Sequence, residues 1–271
     1  MDADGLKLLT DKELTELANR LDELVGEAVG FDRGGTGLSS RARQKLRARI
    51  QAASDRLAAL AVDVNPISQP ASVLDPSDPA IVGEIIALRL LAQPRVPLDV
   101  VGGTRFYGSG VYAIYYRGEF DAYAPLRESE TPIYVGKVDP KDHGAATPEE
   151  QGERLWKRLV QDHAKNIGRV ENLDLGDFDC RFLVVRSAWQ STAETYLIER
   201  FHPVWNNESK VCYGFGKHGD SASTRANTRS PWDELHPGRP WAWADGNTPY
   251  EGGEAKVRAD VAAHFDRHPP Q

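Results

Sequence analysis

The chain has 271 residues, of which 40% are hydrophobic and 27% charged, so it is long enough to bury the interior of a large domain. No apolar stretch approaches the eighteen or more residues that a membrane span requires, and the N-terminal MDADGLKLL does not resemble a secretory signal. We therefore expect a cytoplasmic protein with no membrane partner. The formal net charge of −7 disfavours a histone-like protein that binds DNA through overall positive charge.

Residues 1–100 are predicted to form a helical N-terminal region packed on the core of the protein. Thr10 and Glu13 form a capping-box pattern, and leucines then recur at helical spacing. The FDRGGTG segment interrupts this periodicity, after which Ser39 or Ser40 can cap a second helix. The pattern predicts a pair of helices joined as a hairpin.

A third helix is predicted after a proline-rich passage. Asp78 and Pro79 supply an N-cap and a first-turn proline for AIVGEIIALRLLAQ, which is apolar enough to pack on a core.

From residue 110 the hydrophobic period changes to two, which predicts strands. VYAIYYRG and PIYVGKV are consistent with a hairpin, and CRFLVVR has the length and apolar character of a third strand. ERLWKRLVQDHAKNI and STAETYLIERFHPVWN have helical spacing. Beyond Asn206 the chain is rich in Gly, Pro, Ser and Trp, and we expect it to be irregular and to lie on the surface. Cys180 and Cys212 lack the spacing of a zinc site, so both are predicted to be buried apolar residues.

Two tyrosines stand at distinctive places in the predicted hairpin. Tyr112 follows Gly110-Val111, and Tyr134 precedes Val135-Gly136-Lys137. Further along the chain come, in order, Arg158, His163, Glu194, Pro203 and Asn206. This succession over about residues 105–210 resembles the GIY-YIG nuclease superfamily.

The resemblance implies an α+β fold built on a small three-stranded antiparallel sheet flanked by helices. It implies a catalytic core at 101–210, between the helical region at 1–100 and an irregular C-terminal extension at 211–271. We expect that extension to take part in DNA recognition.

The resemblance also implies which side chains are catalytic and which cofactor they use. The implied catalytic residues are Tyr112, Tyr134, Arg158, His163, Glu194 and Asn206, with Gly136 and Lys137 in support. Glu194 would hold one Mg²⁺ per active site, because that ion prefers oxygen ligands and keeps most of its waters. Arg158 would present a planar fork to the phosphate.

Tyr112 would orient or deprotonate the attacking water. A phenol with a pKa near 10 is a poor base, so either a cation such as Lys137 lowers that pKa or His163 relays the proton.

Ordinary structural roles exist for each of these residues considered alone. A strand tyrosine is usually a packing residue, and Glu194 could serve only as part of a capping box with Ser191. In an α-helix, Arg158 and His163 would point about 140° apart. Arg154 is the alternative phosphate ligand, and Glu199 is the rival to Glu194.

Flanking segments narrow the resemblance to one branch of the superfamily. AQPRVPLD, FYGSGVYAIYYRGEFDAY, YGFGKHG and RSPWDELHPGRPWA resemble the Type II restriction endonucleases that cut CCGCGG, over about residues 70–243. The resemblance implies a homodimer on palindromic double-stranded DNA, each subunit cutting one strand. A cognate DNA methyltransferase is then expected in the host.

Arginine and lysine read major-groove guanines best, so basic residues are the candidates for DNA binding. These are Arg41, Arg43, Lys45, Lys210, Lys217, His218, Arg225, Arg229 and Arg239. The first three belong to a basic helix. Its charged face either contacts the DNA phosphates or is only exposed to solvent.

Two other functions remain open at this point. One is a GIY-YIG nuclease of the repair or mobile-DNA type, which would cut branched or nonpalindromic DNA. The other is a DNA-binding module that does not cleave, although the full set of catalytic residue types argues against it.

Overall fold

The computed structural model describes most of the chain in several segments. They are residues 10–30, 39–63, 67, 73–142, 144–186, 189–216 and 228–271. Contacts between residues divide the chain into two compact units, one ending at Val73 and the other spanning Leu74–Gln271. The predicted break at 31–37 lies outside the described residues.

The first unit contains two long helices, α1 (Asp11–Gly30) and α2 (Ser40–Asp63). The predicted capping box begins α1, since the Thr10 hydroxyl accepts from the Glu13 amide and the Glu13 carboxylate accepts from the Thr10 amide at 2.8 Å. Apolar side chains of both helices line one groove of about 650 Å³. Among them are Leu17, Leu21, Leu24, Leu57 and Leu60.

The second unit begins with α3 (Pro79–Leu91), whose N-cap Asp78 accepts a hydrogen bond from the Ala80 amide at 2.8 Å. We expected this helix to belong to an N-terminal region ending at residue 100. Its main packing partner is instead α7 (Gln190–Phe201), so α3 belongs with the sheet.

The sheet of this unit is antiparallel, with the strand order β1-β4-β2-β3. The strands are β1 (Val96–Pro97), β2 (Gly110–Tyr116), β3 (Tyr134–Val138) and β4 (Phe178–Val184). The three predicted strands are confirmed. The two-residue β1 adds a fourth, too short to carry a periodic signal.

β3 stands at one edge of the sheet, so among the described residues one side of its backbone has no strand partner.

The remaining helices surround this sheet. They are α4 (Pro148–Gln151), α5 (Arg154–Lys157), a π-helix (Arg158–Ala164), α6 (Lys165–Ile167), α8 (Pro231–Leu235) and α9 (Gly253–Arg267). Short 3₁₀ turns lie at Val101–Gly103, Asp121–Leu126, Leu175–Asp177 and Asn207–Ser209. In the described part of the chain, every helix is too short or too polar to cross a membrane.

Alternate residues of β2 supply two hydrophobic cores, one on each face of the sheet. Tyr112, Ile114 and Tyr116 pack with the helical stretch 154–167 and with the C-terminal elements. Val111 and Ala113 pack with α3 and α7 on the other face. The sheet is therefore covered by helices on both sides, and the side chain of Tyr112 lies on the face of α5 and the π-helix.

The C-terminal extension is not the irregular surface segment expected at 211–271. It contains α8 and α9, and Trp232, Leu235, Val257 and Val261 are fully buried in the same core as Tyr112. The sequence analysis did not predict α9, because its few large apolar residues stand among alanines and charged residues and give a weak helical pattern. The expectation that both cysteines are free and buried is confirmed.

Candidate active site

One cavity of about 250 Å³ brings together most of the side chains predicted to be catalytic. Its lining comprises Tyr112, Tyr134, Lys137, Arg158, Glu194, Trp205, Asn206, Asn207, Glu208 and Gly216. These residues come from two strands, the π-helix, α7 and the segment that follows α7. Residues that are far apart in the sequence therefore lie close together in the structure.

The close approach of β2 and β3 places the first tyrosine. Tyr112 lies opposite Gly136 in the antiparallel register, and its ring crosses directly over that glycine. A Cβ atom at Gly136 would lie 2.4 Å from the phenol oxygen, which no side chain tolerates. The absence of a side chain at Gly136 therefore leaves the space that the phenol occupies.

The buried His163 is hydrogen-bonded to this phenol. The Tyr112 hydroxyl and Nε2 of His163 are 2.6 Å apart, and the imidazole is completely buried. The ring of Tyr134 lies edge-on to the same imidazole, with 5.2 Å between the ring centroids. The two tyrosines and the histidine thus form one contiguous group beside the cavity.

The expected angle between Arg158 and His163 is wrong, because the segment that carries them is a π-helix. In an α-helix, five residues would rotate the side chains about 140° apart. A π-helix closes its turns between residues i and i+5, so residues five apart fall on the same side. Arg158 can therefore line the cavity while His163 contacts Tyr112 from behind it.

The pKa of Tyr112 is raised, contrary to the expectation that a cation such as Lys137 lowers it. Burial raises the pKa of the Tyr112 phenol well above its usual value of 10.0, and Tyr134 adds to this, while Arg158 opposes it. Burial also raises the pKa of Tyr134. Lys137 forms an ion pair with Asp139 and exerts its effect on Glu194.

Glu194 is a half-buried carboxylate that lines the same cavity. Burial raises its pKa to about 7, which Lys137 opposes and Glu208 reinforces. The backbone of Lys137 also opposes the rise in this pKa. A buried carboxylate with a second carboxylate nearby favours a bound cation, because the cation offsets both the desolvation and the repulsion.

The donor chemistry of the cavity fits Mg²⁺. Glu194 and Glu208 offer carboxylate oxygens and Asn207 an amide oxygen, and all three line the cavity. Within the described segments, no cluster of three or more His, Cys, Asp or Glu side chains could hold a metal ion. A site with so few protein ligands suits an ion that keeps most of its waters.

Asn206 closes the exposed side of β3. Its side-chain oxygen accepts from the Val135 amide and its side-chain nitrogen donates to the Val135 carbonyl, both at 2.9 Å. Both polar atoms of the side-chain amide are thereby hydrogen-bonded to the residue that follows Tyr134. These bonds fix the position of Asn206 at the cavity, and its catalytic role stays a prediction.

The two alternatives considered from the sequence lie outside the cavity lining. Arg154 donates to the carbonyl of Asp139 at 3.3 Å, and Glu199 lines a neighbouring cavity of about 360 Å³. The geometry therefore favours Arg158 and Glu194 over these alternatives.

Two of the DNA-binding candidates form ion pairs within the protein. Arg239 is completely buried, and its guanidinium pairs with Asp233 at 2.6 Å, so it is not available to DNA. Arg229 pairs with Glu234 at 3.4 Å and lies over the ring of Trp243. Both were predicted because the C-terminal extension contains basic residues. Residue type alone does not show whether a side chain is buried.

The other candidates divide into those that are exposed and those outside the described residues. Arg41, Arg43 and Lys45 are exposed on α2, and Lys210 is exposed just after the 3₁₀ turn Asn207–Ser209. Lys217, His218 and Arg225 lie outside the described residues.

Sequence reasoning missed several members of the site. Glu208, Asn207, Trp205 and Gly216 line the cavity, and Phe215 stacks on His163. The nearest signal was the succession WNNES, in which Asn207 and Glu208 directly follow a predicted site residue.

A small antiparallel sheet that carries Tyr112 and Tyr134 beside Arg158 and Glu194 defines a GIY-YIG domain. The family model of the Eco29kI GIY-YIG domain matches residues 104–265, and the chain therefore belongs to this restriction endonuclease GIY-YIG family. The match extends through most of α9, in agreement with the shared core. A search of curated proteins gives no significant match. The domain is accordingly a nuclease domain, with DNA as its substrate.

Proposed function

We propose that the protein is a Type II restriction endonuclease. It hydrolyses phosphodiester bonds of duplex DNA in a Mg²⁺-dependent reaction, at a palindromic GC-rich site such as CCGCGG. Membership of a restriction endonuclease family supports the reaction class. The observation that carries the proposal is the hydrogen bond between Tyr112 and His163 beside a cavity that also contains Arg158 and Glu194.

The proton path follows from the burial of Tyr112. Because burial raises the pKa of this phenol, a standing phenolate is not the base. The phenol instead accepts the proton of the attacking water while its own proton passes to Nε2 of His163, 2.6 Å away. The water oxygen bonds to phosphorus, the bond to the 3′ oxygen breaks, and solvent protonates the leaving oxygen.

Arg158 stabilises the negative charge that develops on the phosphate oxygens. Its half-buried guanidinium lines the cavity, and a planar fork matches the phosphate oxygens better than an ammonium group does. Glu194, with Glu208 beside it, would hold Mg²⁺, which when bound would neutralise charge on the phosphate and on the leaving oxygen. Asn206 and Gly136 keep Tyr134 and Tyr112 in position.

A palindromic site has two-fold symmetry, so we propose a homodimer in which each subunit cuts one strand. A restriction activity further requires that the host DNA be protected. A cognate DNA methyltransferase acting on the same site is therefore part of the proposal.

Digestion of a sequenced plasmid with Mg²⁺ and with EDTA, followed by run-off sequencing of the ends, tests the function. We expect cleavage at one palindromic sequence in the presence of Mg²⁺ only. Glu194→Gln should abolish cutting, whereas Glu199→Gln, on the same helix but outside the cavity lining, should retain it. Ends at nonpalindromic or branched sites would indicate a repair or mobile-DNA nuclease, and binding without cleavage would indicate a non-cleaving module.

A further inference from the structure

The aromatic ring of Phe215 is stacked on the imidazole of His163. The two ring centroids are 4.7 Å apart with an interplanar angle of 17°, the most nearly parallel ring contact that His163 makes. Phe215 is completely buried and also meets the ring of Tyr134 edge-on at 5.1 Å. The imidazole is therefore held between Phe215 and the two tyrosines.

The backbone of Phe215 is fixed by buried polar groups. Its carbonyl accepts from Nδ2 of Asn166 at 3.2 Å and from Nη1 of Arg239 at 3.1 Å. Arg239 also donates to the carbonyl of Gly214 at 3.0 Å and is itself held by Asp233. A buried ion pair therefore anchors the segment that supports the ring.

Gly214 allows this segment to turn where it does. Its φ of +110° lies in a region that favours glycine, and a Cβ there would lie 2.2 Å from the hydroxyl oxygen of Ser230. Ser230 caps α8, the helix that carries Asp233. The turn, the cap and the ion pair thus form one rigid support behind Phe215.

We propose that Phe215 is a positioning residue of the nuclease, whose ring sets the plane of the His163 imidazole so that Nε2 faces the Tyr112 hydroxyl. Rotation of the imidazole about its Cβ–Cγ bond would move Nε2 away from the phenol and push the ring into Phe215. The stacked aromatic face opposes that rotation, and a flexible aliphatic side chain of similar volume would not. This role rests on the proposed function, in which His163 takes the proton of Tyr112.

Phe215→Leu tests the proposal, because it fills much of the same space and removes the flat face. We expect kcat for DNA cleavage to fall about 10- to 100-fold with KM for DNA nearly unchanged, since small displacements of reacting groups cost this much. Phe215→Tyr keeps the stacked face and should restore most of the activity. The pH profile of kcat should change shape in the leucine variant only.

Phe178→Leu is the matched control for loss of packing. Phe178 is equally buried in the same core and contacts Trp205 and Tyr116, whereas the aromatic contacts of His163 are with other rings. We expect it to lower the melting temperature while kcat stays within about twofold, since large-to-small core changes act mainly on stability. Equal losses of kcat in the two leucine variants would overturn the proposal and leave Phe215 as a packing residue.

A readout that does not require cleavage separates this proposal from the proposed function. The imidazole ¹⁵N NMR signals of His163, assigned by loss in His163→Gln, report the hydrogen bond at Nε2 and should shift in Phe215→Leu but stay in place in Phe178→Leu. If wild-type protein cuts no DNA but these signals move as expected, the proposed function fails and the positioning of His163 stands. Unmoved signals in Phe215→Leu would overturn the positioning role in an active enzyme.

Discussion

The phenol of Tyr112 occupies the space in which any residue other than glycine at position 136 would place its side chain. Tyr112 and Gly136 face each other across two neighbouring strands, so the sheet itself fixes where the phenol lies. Gly136→Ala should therefore destabilise the protein by about 1–3 kcal/mol, because the added methyl displaces the ring or the strand. Cleavage should be lost as well. Denaturant unfolding and plasmid cleavage measure the two effects, and Gly103→Ala, where a Cβ would meet open space, should leave both nearly unchanged.

Removal of one phenol oxygen tests the proton path. Tyr112→Phe should lower kcat by about 10²- to 10⁴-fold, the usual contribution of a general acid or base, while DNA binding is retained. Tyr115→Phe is the control, since Tyr115 lies on the opposite face of the sheet, where its hydroxyl accepts from Arg181 at 3.0 Å. Single-turnover cleavage and a gel-shift titration separate the two quantities. Comparable losses in both variants would contradict the assigned path.

The raised pKa of Glu194 makes a prediction about stability and pH. A carboxyl group with a pKa of about 7 in the folded protein and about 4.5 in the unfolded chain binds more protons when folded over that interval. In the absence of metal, wild-type stability should therefore fall between pH 4.5 and pH 7 relative to Glu194→Gln. The difference should approach roughly 3 kcal/mol well above pH 7.

Urea unfolding in EDTA at pH 5 and pH 8 measures this difference. Glu199→Gln, at an exposed position of the same helix, should show no such dependence. Saturating Mg²⁺ should reduce the advantage of the glutamine variant at pH 8, because a cation bound by the wild-type carboxylate stabilises the folded state. A pH-independent difference would show that Glu194 is not destabilising in its ionised form.

The edge of β3 provides a separate test through Asn206. Asn206→Asp keeps the acceptor for the Val135 amide but loses the donor to the Val135 carbonyl. We expect a loss of about 1–3 kcal/mol in unfolding free energy and a large loss of cleavage. Asn247→Ala removes two hydrogen bonds to the carbonyls of Trp241 and Ala242 and should keep cleavage once its stability is corrected for.

The basic face of α2 can be tested by the salt dependence of DNA binding. If Arg41, Arg43 and Lys45 each contact a phosphate, replacing all three with glutamine should reduce the slope of log K against log salt by about 2 to 3. Substituting Arg117 and Arg127, two arginines already paired with acidic residues, is the control and should change the slope less. An unchanged slope in the triple variant would identify the helix face as merely solvated.

The period-two strands were readable from sequence because local patterning determines them. Tyr112, Tyr134, Arg158 and Glu194 were named through the resemblance to the GIY-YIG superfamily, and the structure brings all four to one cavity. The π-helix was not readable from sequence, since an extra residue in a helical turn leaves the hydrophobic pattern of ERLWKRLVQDHAKNI intact.

The sequence also did not indicate which residues of the C-terminal extension are buried. Arg239 in GRPWAW has the composition of a surface recognition segment, yet it is completely enclosed by Asp233, backbone carbonyls and tryptophan rings. The role of Phe215 depends on a contact with His163, far away in the chain, which no local pattern encodes. Long-range packing, and not residue type, decides these positions.

The unpaired edge of β3 affects whether copies of the protein can associate. On this edge the side chain of Asn206 is hydrogen-bonded to both the amide and the carbonyl of Val135. An unpaired strand of this kind would otherwise serve as a template for adding another chain, the route to aggregation. Asn206, which also lines the cavity, thus protects this edge from pairing with another chain, so variants at Asn206 should show increased self-association.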